Sequence, residues 1–282
     1  MREGEASRTA LGAAGHRAAH QSLEGGAIFA DPLAVPILGG DAAEAIARAR
    51  DEPARRGLRL FIAMRSRFAE DCARRAIEAG VRQILVLGAG LDTFAYRLAE
   101  APGLRMFELD HPMSQADKRR RLSAAGIAEP AHLTYVGHDF EHGGMSAAVS
   151  AAGLDPARRT FVLWLGVTPY LTPETAFGTL AELARLPGGV EVVFDYASPP
   201  EAIRDEQLRS RHERLASDVA AAGEPFRGYF ETDALAAECR RLGYSAIEDL
   251  DRAALVARYL PQVEPPKPGP GGHVARIATP GR

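Results

Sequence analysis

The chain has 282 residues, 46% hydrophobic and 25% charged, enough for one large α/β domain or one domain with a modest cap. Its 34 basic and 37 acidic side chains leave a formal charge of -3, which gives no basis for a nucleic-acid surface or an anionic membrane partner. No stretch joins a basic start to an apolar core and a cleavage signal, and no apolar run approaches about 20 residues, so a cytoplasmic protein is expected.

Residues 1–56 are rich in Ala, Gly and charge, with turn signals at Asp31-Pro32 and Pro36. Helical stretches over 7–21 and 41–50 and the lack of a strong strand predict an N-terminal helical cap. Over 57–79, Leu58, Phe61, Ile62, Met64, Phe68, Cys72 and Ile77 recur at steps of three and four, which predicts a helix that Gly80 stops. Short apolar strands follow at 84–87, 104–109, 132–136, 160–165 and 190–195, with the clearest helices at 113–125 and 173–186. Strands alternating with helices predict a mostly parallel sheet covered on both faces, so 57–198 is expected to be a nucleotide-binding core. After Pro199-Pro200, helices over 201–222 and 231–241 predict a lid across 199–242. Strands at 244–247 and 274–278, an antiparallel pair at the sheet edge separated by a Pro/Gly loop over 261–272, would complete the core across 243–282. The basic run Lys118-Arg119-Arg120-Arg121 is expected on a solvated helix face. Cys72 and Cys239 lie in no metal-ligand spacing and are expected to be reduced, non-catalytic thiols.

The strongest chemical signal is Leu87-Gly88-Ala89-Gly90-Leu91-Asp92-Thr93, a glycine turn that follows a strand and opens a helix. Gly88 and Gly90 are expected to let a nucleoside-like ligand approach the backbone around Ala89. A dinucleotide turn places a third glycine where Thr93 stands, and it sets an anionic pyrophosphate where Asp92 would repel it. S-adenosylmethionine has no phosphate and carries cationic sulfonium and ammonium groups, so Asp92 suits it; capping of the next helix is the alternative role for Asp92. Glu108 and Asp110 end the second strand, where a carboxylate accepts ribose hydroxyls, and either can be the primary one. Asp139 closes the third strand, placed for the adenine amino group, with Phe140 beside the base.

Several stretches together resemble the bacterial class I methyltransferases related to leucine carboxyl methyltransferase. They are His16-Arg17-Ala18-Ala19-His20, Phe29-Ala30-Asp31-Pro32, Met64-Arg65-Ser66-Arg67-Phe68, the block from Val86 to Leu98, Phe107-Glu108-Leu109-Asp110-His111-Pro112, and Trp164 to Thr172. The resemblance implies a Rossmann-like α/β fold with a seven-stranded sheet, helices on both faces and a helical cap. It further implies S-adenosyl-L-methionine as donor and an arginine before the first strand, Arg65 or Arg67, holding the cofactor carboxylate. A guanidinium suits that task because it grips a carboxylate with two parallel hydrogen bonds. At a spacing of two the pair cannot share a helical face, and Arg65 is favoured. One position departs from the family: Leu165, expected beside the cofactor, stands where a glutamate is usual.

Methyl transfer needs alignment and exclusion of water, and a base only when the acceptor arrives protonated. Tyr170, His20 and His212 are the candidate catalytic side chains; His16 shares a helical face with His20, and His138 adjoins the adenine-side loop, too far from the methyl to act as its base. No metal site is expected, because the histidine spacing lacks a carboxylate or cysteine partner. A small-molecule acceptor methylated on oxygen is the leading expectation, with a peptide carboxylate or a non-catalytic sheet protein as alternatives. Oligomeric state is not legible in the sequence.

Overall fold

A computed structural model describes residues 7–98, 101–139 and 144–280. Two helices, α1 (Arg8–Glu24) and α2 (Asp41–Asp51), precede the long α3 (Arg56–Glu78). The core then alternates β1 (Gln83–Leu87), α4 (Phe94–Arg97), β2 (Arg105–Asp110), α5 (Pro112–Ala124), β3 (Leu133–Gly137), α6 (Met145–Ala151), β4 (Thr160–Trp164), α7 (Pro173–Ala184) and β5 (Val190–Ala197). The chain finishes through α8 (Glu206–Ala221), α9 (Thr232–Arg241), β6 (Ala246–Leu250), α10 (Arg252–Tyr259) and β7 (Gly272–Ala278).

The seven strands form one sheet in the order β3-β2-β1-β4-β5-β7-β6. The first five are parallel, while β7 runs antiparallel to both β5 and β6. Every residue of β1 is buried, as expected for a central parallel strand with helices on both faces. Alternation along each strand divides the core. Ile84, Val86, Met106, Phe161 and Val193 face Met64, Phe68 and Cys72 of α3, and Leu85, Leu87, Phe107, Val162 and Trp164 face the opposite way, toward Leu180 and Leu183 of α7. A third cluster joins Ala14 and Ala18 of α1 to Ile37, Leu91 and Leu122, so the helical cap rests over the glycine turn. This is the Rossmann-like architecture of class I methyltransferases. Among the described residues no helix is long and apolar enough to cross a membrane.

Three details differ from the sequence reading. Helix α8 begins at Glu206 rather than 201, because the Asp205 side chain caps the backbone N–H of Leu208 at 2.9 Å. Helix α10 was not anticipated; Asp251 caps it in the same way and its Leu255 and Val256 cover the α3 face of the sheet. The last two strands pair antiparallel at one edge of the sheet as expected, but out of chain order, with β7 next to β5 and β6 outermost.

Candidate functional site

The glycine turn leaves β1 with Gly88 at φ 63° and Gly90 at φ 46°, a region that side chains with a Cβ seldom adopt. A Cβ on Gly88 would lie 2.4 Å from Val167 Cγ2, and one on Gly90 would lie 3.1 Å from the Ala10 Cβ. The glycines are therefore required first by the chain itself, since the loop after β4 and the start of α1 close on the turn. Ala89 is buried between them on the α3 face. Asp92 Oδ1 accepts the Phe94 N–H at 2.8 Å, which is the capping role for this carboxylate at the start of α4.

The two acids of β2 have separated. Glu108 is fully buried and paired with Lys118 Nζ at 2.6 Å, beneath α5. Burial outweighs that partner and pushes the Glu108 carboxyl up to about 7. Lys118 itself is 1% exposed, so the solvated reading of the basic run fails at this position: α5 turns Lys118 inward onto Glu108. Asp110, by contrast, reaches the turn, accepting N–H groups from Gly90 at 2.5 Å and from His111 at 2.6 Å. Each oxygen of a carboxylate has a second lone pair, so Asp110 can still accept hydroxyls there. Asp139 stands half-buried just past β3, and Phe140 lies outside the described residues.

Arg65 and Arg67 diverge as their spacing requires. Arg67 points outward, bound to Asp71 at 2.8 Å, so it does not reach the turn. Arg65 points inward and forms an ion pair with Asp195 at the end of β5. The other Asp195 oxygen accepts the Gly166 N–H at 2.5 Å. Arg65 Nε is buried with no hydrogen-bond partner, an orphaned donor at the strand ends. Leu165 is a half-buried apolar contact of the α3-side core, and the acid missing there is matched by Asp195 one strand over. Asp195 was not singled out from the sequence, although an acid ending an apolar strand is the same signal that drew attention to Asp110 and Asp139.

The N-terminal motifs form one buried polar network. Asp31, fully buried, takes Arg17 Nε at 3.2 Å, Arg97 Nε at 3.2 Å and the Thr93 hydroxyl at 2.8 Å. Arg17 in turn donates to the Leu91 carbonyl at 2.5 Å, and Arg97 pairs with Glu70 of α3. Thr93, the residue in place of a third glycine, is thus a relay between the turn and the cap. His20 is corrected as a base candidate. Its Nδ1 contacts Glu24 at 3.2 Å and its Nε2 accepts N–H groups from Ile28 and Phe29 at 3.3 Å, so both ring nitrogens hold the loop after α1.

Tyr170 ends a short 3-10 turn after β4, near enough to Arg65 to feel its charge. Burial pushes its hydroxyl up to about 12, well away from the phenolate. His16 of α1 is half-buried near Arg55, Arg59 and Arg65, and desolvation with those charges lowers it to about 4. Glu224 receives the Ser7 hydroxyl at 3.1 Å and the Thr9 N–H at 3.0 Å, which fastens the start of α1 to the segment after α8. His212 of α8 sits among the rings of that segment, with centroids 6.2 Å from Phe226 and 5.7 Å from Tyr229.

Asp110 and Asp195 end β2 and β5 on either side of the glycine turn, three strand spacings apart, about 14 Å. A carboxylate with free acceptor lone pairs at one end and an orphaned arginine donor at the other fit the hydroxyls and the carboxylate of S-adenosylmethionine. The fold and turn are those of the class I S-adenosylmethionine-dependent methyltransferases. Residues 10–184 match the family described as leucine carboxyl methyltransferase, and the chain belongs to that family. A relative in Mycobacterium avium (strain 104), provisionally named an S-adenosyl-L-methionine-dependent methyltransferase, is 32% identical across 72% of this chain and 70% of its own length. The similarly named YktD of Bacillus subtilis (strain 168) is 33% identical across 59% of this chain, and the match spans only 55% of that relative. A DUF574 family protein from Streptomyces avermitilis shares the fold, with a TM-score of 0.54 and 18% identity over 95% of this chain and 97% of its own. S-adenosylmethionine is the cofactor.

Proposed function

We propose that the chain transfers the methyl group to a carboxylate oxygen of a small acceptor. The observation that carries this reading is the partly buried setting of Tyr170 and His16 near Arg65, which leaves neither poised as a base. Burial keeps the Tyr170 hydroxyl protonated and makes His16 a weak base. Such groups orient an anion by hydrogen bonding rather than remove a proton. A carboxylate arrives ionised and needs no base. Its oxygen lone pair forms the new O–CH3 bond as the C–S bond breaks, and the bonding electrons return to sulfur as a neutral thioether. The carboxyl chemistry in the family's description supports the same choice. The Glu224 clasp on Ser7 and Thr9, which draws α1 and the segment after α8 together over the strand ends, favours a small acceptor over a peptide.

In this reading Arg65 holds the cofactor carboxylate, Asp110 the ribose, Asp139 the adenine side, and Tyr170 steadies the acceptor. The product distinguishes the alternatives. A methyl ester releases labelled methanol in mild alkali, whereas a methyl ether or N-methyl product keeps its label. Labelled product stable to alkali overturns the carboxylate assignment.

A further inference from the structure

Aromatic side chains cluster beside Tyr170 in a region beyond residue 184, where the family match ends. The Arg227 and Gly228 N–H groups both donate to the Pro169 carbonyl, at 2.7 and 3.1 Å, which pins the segment after α8 against the Tyr170 turn. Gly228 allows this approach: a Cβ there would lie 2.5 Å from the Leu171 carbonyl oxygen and 2.9 Å from that of Thr168. The pinned segment sets the Phe226 ring 5.3 Å from Tyr170 and 6.3 Å from Tyr229, the second contact edge-to-face. His212 meets both Phe226 and Tyr229, and its Nε2 is buried without a hydrogen-bond partner.

These rings are not serving the core. Phe230, the next residue along, is buried edge-on against Phe177 and Tyr196 beneath the sheet, where an apolar side chain is needed for packing. Phe226 and Tyr229 remain half-buried, outside the buried clusters flanking the sheet. Tilted and edge-to-face rings present ring edges and faces to a further ring, which binds them through complementary quadrupoles.

We propose that His212, Phe226, Tyr229 and Tyr170 form an aromatic wall of the acceptor site that selects a flat aromatic body. The inference deepens the proposed function and rests on its placement of the acceptor at Tyr170. His212 supplies the polar complement: Nε2 takes a ring substituent such as a hydroxyl. Burial lowers His212 below its ordinary value, so the ring meets that substituent as neutral imidazole.

The test uses the full chain with demethylated cofactor bound and four probes: benzoate, cyclohexanecarboxylate, phenol and cyclohexanol. Binding is followed by calorimetry or saturation-transfer NMR. Each aromatic probe is expected to bind about tenfold tighter than its saturated counterpart, the scale of one or two good ring contacts. In Phe226→Leu this ratio should collapse while affinity for the demethylated cofactor stays within about twofold, since Leu keeps an apolar side chain. Equal binding of the aromatic and saturated members overturns the inference, as does a ratio untouched in the variant or no binding of any probe. Should the variant not fold, the wild-type ratios decide alone. Benzoate is expected to bind tighter than phenol; phenol matching or exceeding benzoate, with both above their saturated partners, sinks the carboxylate reading and leaves the aromatic wall standing.

Discussion

At the scale of single residues, the two acids of β2 show how position two apart on one strand can lead to opposite roles. Glu108 lies beneath α5 and keeps its proton up to about pH 7, against an ordinary value near 4.5. The folded protein therefore binds this proton more tightly than the unfolded chain. The resulting stability is fully present below about pH 4.5, falls as pH rises through the interval to about 7, and is level above it. The change amounts to at most about 3 kcal/mol. Urea unfolding at pH 5 and pH 7.5 should show wild type losing stability relative to Glu108→Gln over this range. Parallel behaviour of the two proteins would contradict the raised carboxyl. The sequence marked both acids but not which one faces the turn, because the helix that seals Glu108 arrives from elsewhere in the chain. Arg65 and Arg67 were equally visible as a pair; their spacing of two forbade a shared face, and only the pairing of Arg65 with Asp195 from β5 shows which one turns inward.

Between elements, a buried polar network ties the cap to the glycine turn and to α3. Asp31 joins α1 through Arg17 and the two ends of the short α4 through Thr93 and Arg97, and Arg97 carries the connection to α3. The segments holding these residues were all legible as motifs, and Thr93 was legible as a missing glycine. That they meet around one buried carboxylate was not, since no local period encodes a contact across 62 residues. Strands were easier: β1 to β5 are apolar runs bounded by turns, whereas the insertion of β7 between β5 and β6 depends on tertiary pairing. Asp31→Asn keeps the shape but leaves two buried guanidinium groups short of a partner. It should cost about 3 kcal/mol in denaturant unfolding, because an uncompensated buried charge is expensive. A loss below about 1 kcal/mol would mean that Glu70 and the Leu91 carbonyl satisfy Arg97 and Arg17 without it.

For the whole molecule, the candidate site lies on a seam where the ends of β1, β2, β4 and β5 meet the cap, which packs over the glycine turn and is tied to it by buried polar contacts. A ligand that binds only the folded state stabilises it by mass action, about 2.7 kcal/mol at a hundred times its dissociation constant. For a chain of this size that corresponds to a rise of roughly 5 °C in Tm. Demethylated S-adenosylmethionine at saturating concentration should produce such a shift. NAD should not, because its pyrophosphate would sit beside Asp92 and Thr93 blocks the third-glycine position of a dinucleotide turn. The same comparison in Asp31→Asn reports on the seam itself. If the cap holds the glycine turn in its binding geometry, part of the ligand's binding energy is spent restoring that geometry, and the shift shrinks. An unchanged shift in a destabilised variant would show that the turn keeps its shape without the cap, and the network's role would then be confined to stability.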